Sequence, residues 1–151
     1  MVDLRRFHRL WRDRRGVAAL EFALVAPMLL LLIFGAAEIG IVLSQYETLT
    51  NTTIVGAMQF AFSAGVDSTP LTDATTSMTT AAPGLTPLTI TFSVNGTACT
   101  SNAACATALA GGTGYVTVTA SYSCVAINDI VVSFDLLPGC ALTSSQTERV
   151  Q

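Results

Sequence analysis

Histidine occurs once in the 151 residues, at His8, lysine not at all, and charged side chains make up only 11% of the chain. A soluble globular protein usually has about a quarter of its residues charged, so part of this chain leaves water. With its one imidazole so near the N-terminus, the rest of the chain has no Ser-His-Asp or Cys-His nucleophile and no histidine metal site. Phosphate chemistry is excluded by a different shortage. The glycine run Gly111-Gly112-Thr113-Gly114 lacks the following lysine and helix that a phosphate-binding loop needs. The four cysteines are spaced too widely for a zinc site. Asp129 and Asp135 read as solvated surface carboxylates rather than an acid and base pair. The sequence therefore predicts no enzyme, no cofactor and no metal.

What the chain does have is an uneven charge distribution. Arg5, Arg6, Arg9, Arg12, Arg14 and Arg15 are six of its seven bases, against only Asp3 and Asp13 before Gly16. Beyond Val17 the balance inverts, with Arg149 the only base against eight acids. A basic head followed by an apolar run and an acidic body predicts a membrane protein with its N-terminus inside. Nucleic-acid binding would need a basic patch on the folded domain, and none is present.

Residues 17–43 are apolar apart from Glu21, Glu38 and a few small or special residues, among them Pro27, Gly35 and Gly40. At 1.5 Å per residue a helix over this stretch is about 40 Å long, enough to cross a hydrocarbon core of about 30 Å. Glu38 either marks the outer membrane interface, the favoured reading, or faces a partner helix. Apolar side chains then recur at Ile39, Val42, Leu43, Tyr46, Leu49, Ile54, Ala57, Met58, Ala61 and Phe62, with Gln45, Glu47, Asn51, Thr52 and Gln59 between them. That spacing predicts an amphipathic continuation over residues 44–65, stopped near Gly65. Residues 66–87, rich in Thr, Ser, Ala and Pro, are either a linker or a short helix over residues 71–82, capped near Thr69 or Thr72 and ended by Pro83 and Gly84. Strict alternation in Leu88-Thr89-Ile90-Thr91-Phe92-Ser93-Val94 and the β-branched, aromatic run at residues 115–122 predict two antiparallel strands. Residues 141–151 offer a third, while residues 127–137 suit helix and strand alike. The fold class is α+β: a long N-terminal helix followed by a small strand-rich domain over residues 88–151.

All four cysteines, Cys99, Cys105, Cys124 and Cys140, lie after the apolar run. An even number on the outer side predicts two disulfides in an oxidising compartment, and three pairings are possible. Local separation favours Cys99 with Cys105 and Cys124 with Cys140.

The start of the apolar run departs from an ordinary secretory signal. Gly35-Ala36-Ala37 before Glu38 would serve as a small-residue cleavage site, but the basic region is long and the apolar stretch opens with a carboxylate, Glu21. A charge in a span costs about 2.5–3.5 kcal/mol on insertion scales and is retained for a reason. The run Arg14-Arg15-Gly16-Val17-Ala18-Ala19-Leu20-Glu21-Phe22 resembles the type IV prepilin processing signal, with a basic leader, a glycine before the cut and a glutamate as the fifth residue after it. A residue without a side chain lets the backbone enter a narrow active site at the membrane surface. Cleavage would leave an ammonium on Val17 that the Glu21 carboxylate neutralises, within one subunit or between neighbours. The wider match, residues 19–35 followed by Glu38-Ile39-Gly40, resembles the TadE-like minor pilins, or pseudopilins, of tight-adherence (Flp, type IVc) pilus systems. One departure is that residues 49–62 carry no base, where such proteins commonly have some.

The resemblance implies a type IV pilin-like fold and a structural role. Residues 1–16 would be a cytoplasmic leader removed by a prepilin peptidase between Gly16 and Val17, and residues 17–43 a single inner-membrane span. Glu21 and Phe22 would act in recognition and assembly. The implied partners are other pilin and pseudopilin subunits, met through the N-terminal helix, and the pilus assembly platform, with an extracellular pilus as the final location. The competing expectation is an extracytoplasmic binding domain, secreted or membrane-anchored, whose N-terminus is a conventional signal or anchor.

Overall fold

The apolar run and the amphipathic stretch after it wind into one α-helix, α1 (Arg15–Ser63), in the computed structural model, which describes residues 15–109, 113–123 and 140–150. The chain divides into two units, Met1–Ile39 and Gly40–Gln151, and α1 contributes to both. In the first unit the helix carries its large apolar side chains outward on every side. Leu20, Phe22, Leu24, Met28 and Leu32 are all exposed, and none of the apolar window is buried within the chain. A helix apolar all round has no stripe to bury against its own domain; its solvent is lipid or other helices. Among the described residues α1 is the one helix long and apolar enough to cross a membrane. Pro27 lies inside it without ending it, as spans permit when neighbouring groups re-satisfy the backbone.

In the second unit the same helix becomes one-sided. Leu49, Ala57, Phe60 and Ala64 are buried, and the Phe60 ring stacks on Phe92 with centroids 5.7 Å apart. The fold sorts this stretch differently from the sequence spacing. Met58 and Phe62, grouped there with the apolar stripe, are exposed, Phe62 at 78%. Thr52, placed among the polar positions, is buried together with Thr53. Their hydroxyls explain it. Thr52 Oγ1 donates to the Thr48 carbonyl at 2.8 Å and Thr53 Oγ1 to the Leu49 carbonyl at 2.7 Å. With the polar atom satisfied inside the helix, each threonine enters the core at little desolvation cost. The helix stops just before Gly65, whose φ of +89° suits a residue without Cβ, and Asp67 N–H donates to the Ser63 carbonyl at 2.8 Å.

The threonine-rich segment is a helix, α2 (Pro70–Ala81), with Thr69 at the N-cap and Pro70 in its first turn. Ala74 and Met78 form its buried side, and Met78 lies so close to Gly56 of α1 that a Cβ on Gly56 would strike its sulfur. Strand β1 (Leu88–Val94) turns through Asn95 and Gly96, with φ of +51° and +81°, into the short strand β2 (Thr97–Cys99). Positive φ at both central residues is what a two-residue hairpin with the strands' own twist requires. Ser101 accepts from Ala104 N–H at 3.2 Å and caps α3 (Asn102–Ala108). The long strands β3 (Gly114–Ser123) and β4 (Ala141–Val150) complete an antiparallel sheet of four strands in the order β2-β1-β3-β4. The α+β class read from the sequence is the observed one. Residues 127–137, ambiguous in sequence, lie outside the described residues.

Register fixes the two faces of the sheet. Phe92, Val94, Val116, Val118, Ala120 and Tyr122 point into the core with α1 and α2. On the opposite face the pairs line up three hydroxyl rows across β1, β3 and β4: Thr89, Ser121 and Thr143; Thr91, Thr119 and Ser145; Ser93, Thr117 and Thr147.

Candidate functional site

Gly16, Val17, Glu21 and Phe22 occupy the first turns of α1, and all four are exposed. Val17 and Glu21 stand four residues apart and so share one face of the helix, with Cβ atoms about 5–6 Å apart. An amine on Val17 would lie within reach of the Glu21 carboxylate of its own chain. Among the described residues no ion pair engages Glu21. The glycine is informative by what it does not touch. A Cβ built on Gly16 meets nothing within 4 Å, and Gly16 lies in a helix, where alanine is the better former by about 1 kcal/mol. Among the described residues, packing does not ask for glycine there. Gly56 is the contrast: its missing side chain lets α1 and α2 approach.

The domain is held by bonds of another kind. Cys99 and Cys105 form a disulfide that ties the end of β2 to the middle of α3, with Cα atoms 5.0 Å apart. Cys140 is also disulfide-bonded, while Cys124 lies outside the described residues. Asn102 joins the two short helices: its Oδ1 accepts from Leu71 N–H at 2.8 Å, and its Nδ2 donates to Thr72 Oγ1 at 3.0 Å. Asn95 locks the hairpin to β3, its Oδ1 accepting from Tyr115 N–H at 2.9 Å. Among the described residues no group of three or more His, Cys, Asp or Glu side chains could hold a metal ion. His8, Asp129 and Asp135 lie outside the described residues.

Sequence reasoning passed over two elements here, β2 and α3. The signal for the first was present, since Asn95-Gly96 is the strongest two-residue hairpin dipeptide. For α3 the signal was Ser101 preceding an alanine-rich run. The hydroxyl face was also missed, because it exists only when three strands from different parts of the chain are set in register.

Residues 16–58 match the model of the family described as TadE-like protein. The match starts at Gly16 and ends on the helical stretch that docks to the sheet. This similarity covers less than a third of the chain. No curated protein and no solved structure matches the chain.

Proposed function

We propose that this TadE-like chain is a minor pilin or pseudopilin of a tight-adherence pilus, a structural subunit rather than an enzyme. In this reading residues 1–16 are a cytoplasmic leader, and a prepilin peptidase cuts between Gly16 and Val17. Residues 17–43 hold the protein in the inner membrane, residues 44–65 carry the helix outward, and residues 66–151 fold outside, where disulfides persist. The assembly platform then moves the subunit into, or to the start of, an extracellular fibre that supports surface adhesion.

The observation that carries this reading is the pairing of Gly16, which has no packing role among the described residues, with a carboxylate five residues further on at the start of the apolar run. A glycine that the fold does not require is explained by an external reader of the backbone, and a protease needs such a place. Glu21 is explained by the same event. Before the cut it is a charge carried at a cost of about 2.5–3.5 kcal/mol. After the cut it has a cation to neutralise, which sets the register of one helix against the next. The exposed apolar side chains of residues 17–34 support the second half of the argument, since leaving the bilayer requires them to be covered by other helices packed side by side.

Mass spectrometry of the N-terminus of the protein isolated from membranes tests the proposal. A mature chain starting at Val17 is expected. A chain starting at Glu38 would mark a secreted domain released from a conventional signal, and an intact Met1 would mark a plain anchor; either result overturns the reading.

A further inference from the structure

Over three successive rows the outward face of the sheet bears none of the charge that exposed strands normally carry. Its three rows hold nine Thr and Ser residues and no ionisable side chain. Strand spacing and the two-residue repeat along each strand set these side chains on a grid about 5 Å by 7 Å, covering roughly 10 Å by 13 Å. The grid is partly self-bonded: Thr117 Oγ1 pairs with Thr147 Oγ1 at 2.9 Å and Thr119 Oγ1 with Ser145 Oγ at 3.1 Å. Such bonds orient the hydroxyls in register, while each oxygen keeps spare capacity to accept and the methyl groups stand between them. One row further along the same face lies Tyr115, opposite Arg149. Tyr115 is 58% exposed, although tyrosine buries well when a core is available.

We propose that this face binds a neutral polysaccharide. Matching of charge argues for the class of ligand: a grid of nine hydroxyls with a single cation at its edge has little to gain from a charged polymer, and a neutral one avoids the desolvation cost of ions. Dense hydroxyls that donate and accept suit a partner with the same chemistry, and an exposed aromatic ring at the end of the grid offers a flat apolar surface for the C–H face of a sugar ring. The planar guanidinium of Arg149 beside it adds further donors. The dimensions of the grid suit a short oligosaccharide lying along β3. The binding belongs to the sheet and does not depend on whether residues 1–16 are removed.

The test is depletion of the full chain, solubilised in a neutral detergent, by microcrystalline cellulose and by chitin, with the polyanion alginate as comparison. Binding to at least one neutral polymer is expected, changing less than twofold between 0.1 and 1 M NaCl because no ion pair is involved. Tyr115→Ala and Thr119→Lys should each weaken it at least tenfold. Thr119→Val, which keeps shape and strand propensity, should weaken it threefold or more in a protein with unaltered circular dichroism. No depletion by either neutral polymer, stronger binding to alginate, loss of binding in 1 M salt, or full binding by all three variants would each overturn the proposal.

Discussion

Phe60 and Phe62 give a controlled comparison within one helix, because they are the same residue two positions apart and the fold puts one inside and one outside. Phe60 is 0% exposed and stacks on Phe92 at 5.7 Å with an interplanar angle of 29°. Truncating a core phenylalanine costs about 3–5 kcal/mol in lost transfer energy and residual cavity. About 1 kcal/mol of that is the ring pair itself. Phe62→Ala removes a ring that touches water and should change stability by no more than about 0.5 kcal/mol. Denaturant unfolding of the full chain in micelles measures both. Near-UV circular dichroism reports on the core through Tyr122, which is buried in β3. If Phe62→Ala costs as much as Phe60→Ala, or if Phe60→Ala costs under about 1 kcal/mol, the docking of α1 on the sheet as described is wrong.

The remaining expectations concern maturation and the joints of the domain. Gly16→Leu should block processing, seen as the full-length mass in membranes, yet leave unfolding nearly unchanged, because a Cβ at this exposed position meets nothing within 4 Å among the described residues. Glu21→Ala should still be cut but enter fibres poorly, and its normal assembly in sheared pilus fractions would refute charge pairing with the new terminus. Gly56→Ala should destabilise by about 1–3 kcal/mol in denaturant melts, even though alanine favours helix, because its Cβ strikes Met78; the same substitution made in a Met78→Ala background should cost less. Asn102→Ala should cost about 1–2 kcal/mol by leaving Leu71 N–H without its acceptor, and Asn102→Asp, which keeps that oxygen, should cost less. Replacing Cys99 and Cys105 together by serine removes a short closed loop and should lower stability by about 2 kcal/mol in the same assay.

Local chemistry made several elements readable in one dimension. A run of apolar residues longer than a bilayer is thick has one physical solution, so α1 followed from residues 17–43 without any knowledge of its neighbours. Alternation with period two marked β1 and β3, since only an extended chain with one buried face gives that pattern a meaning. Residues 66–87 were open between linker and helix because propensity is weak in a stretch of threonines, which lose rotamer freedom in helices. What decided in favour of α2 was burial of Ala74 and Met78 against the rest of the core.

The sequence by itself thus determined which run is apolar enough to leave water and that β1 and β3 are extended, because each of those depends on hydrophobicity or spacing along a single stretch. Only the tertiary structure decided which side of residues 44–63 is inside. Thr52 and Thr53 satisfy their hydroxyls on backbone carbonyls and enter the core, while Met58 and Phe62 stay out. It alone also assembled the hydroxyl face, since a row such as Thr91, Thr119 and Ser145 is created by strand register, a property no single segment carries.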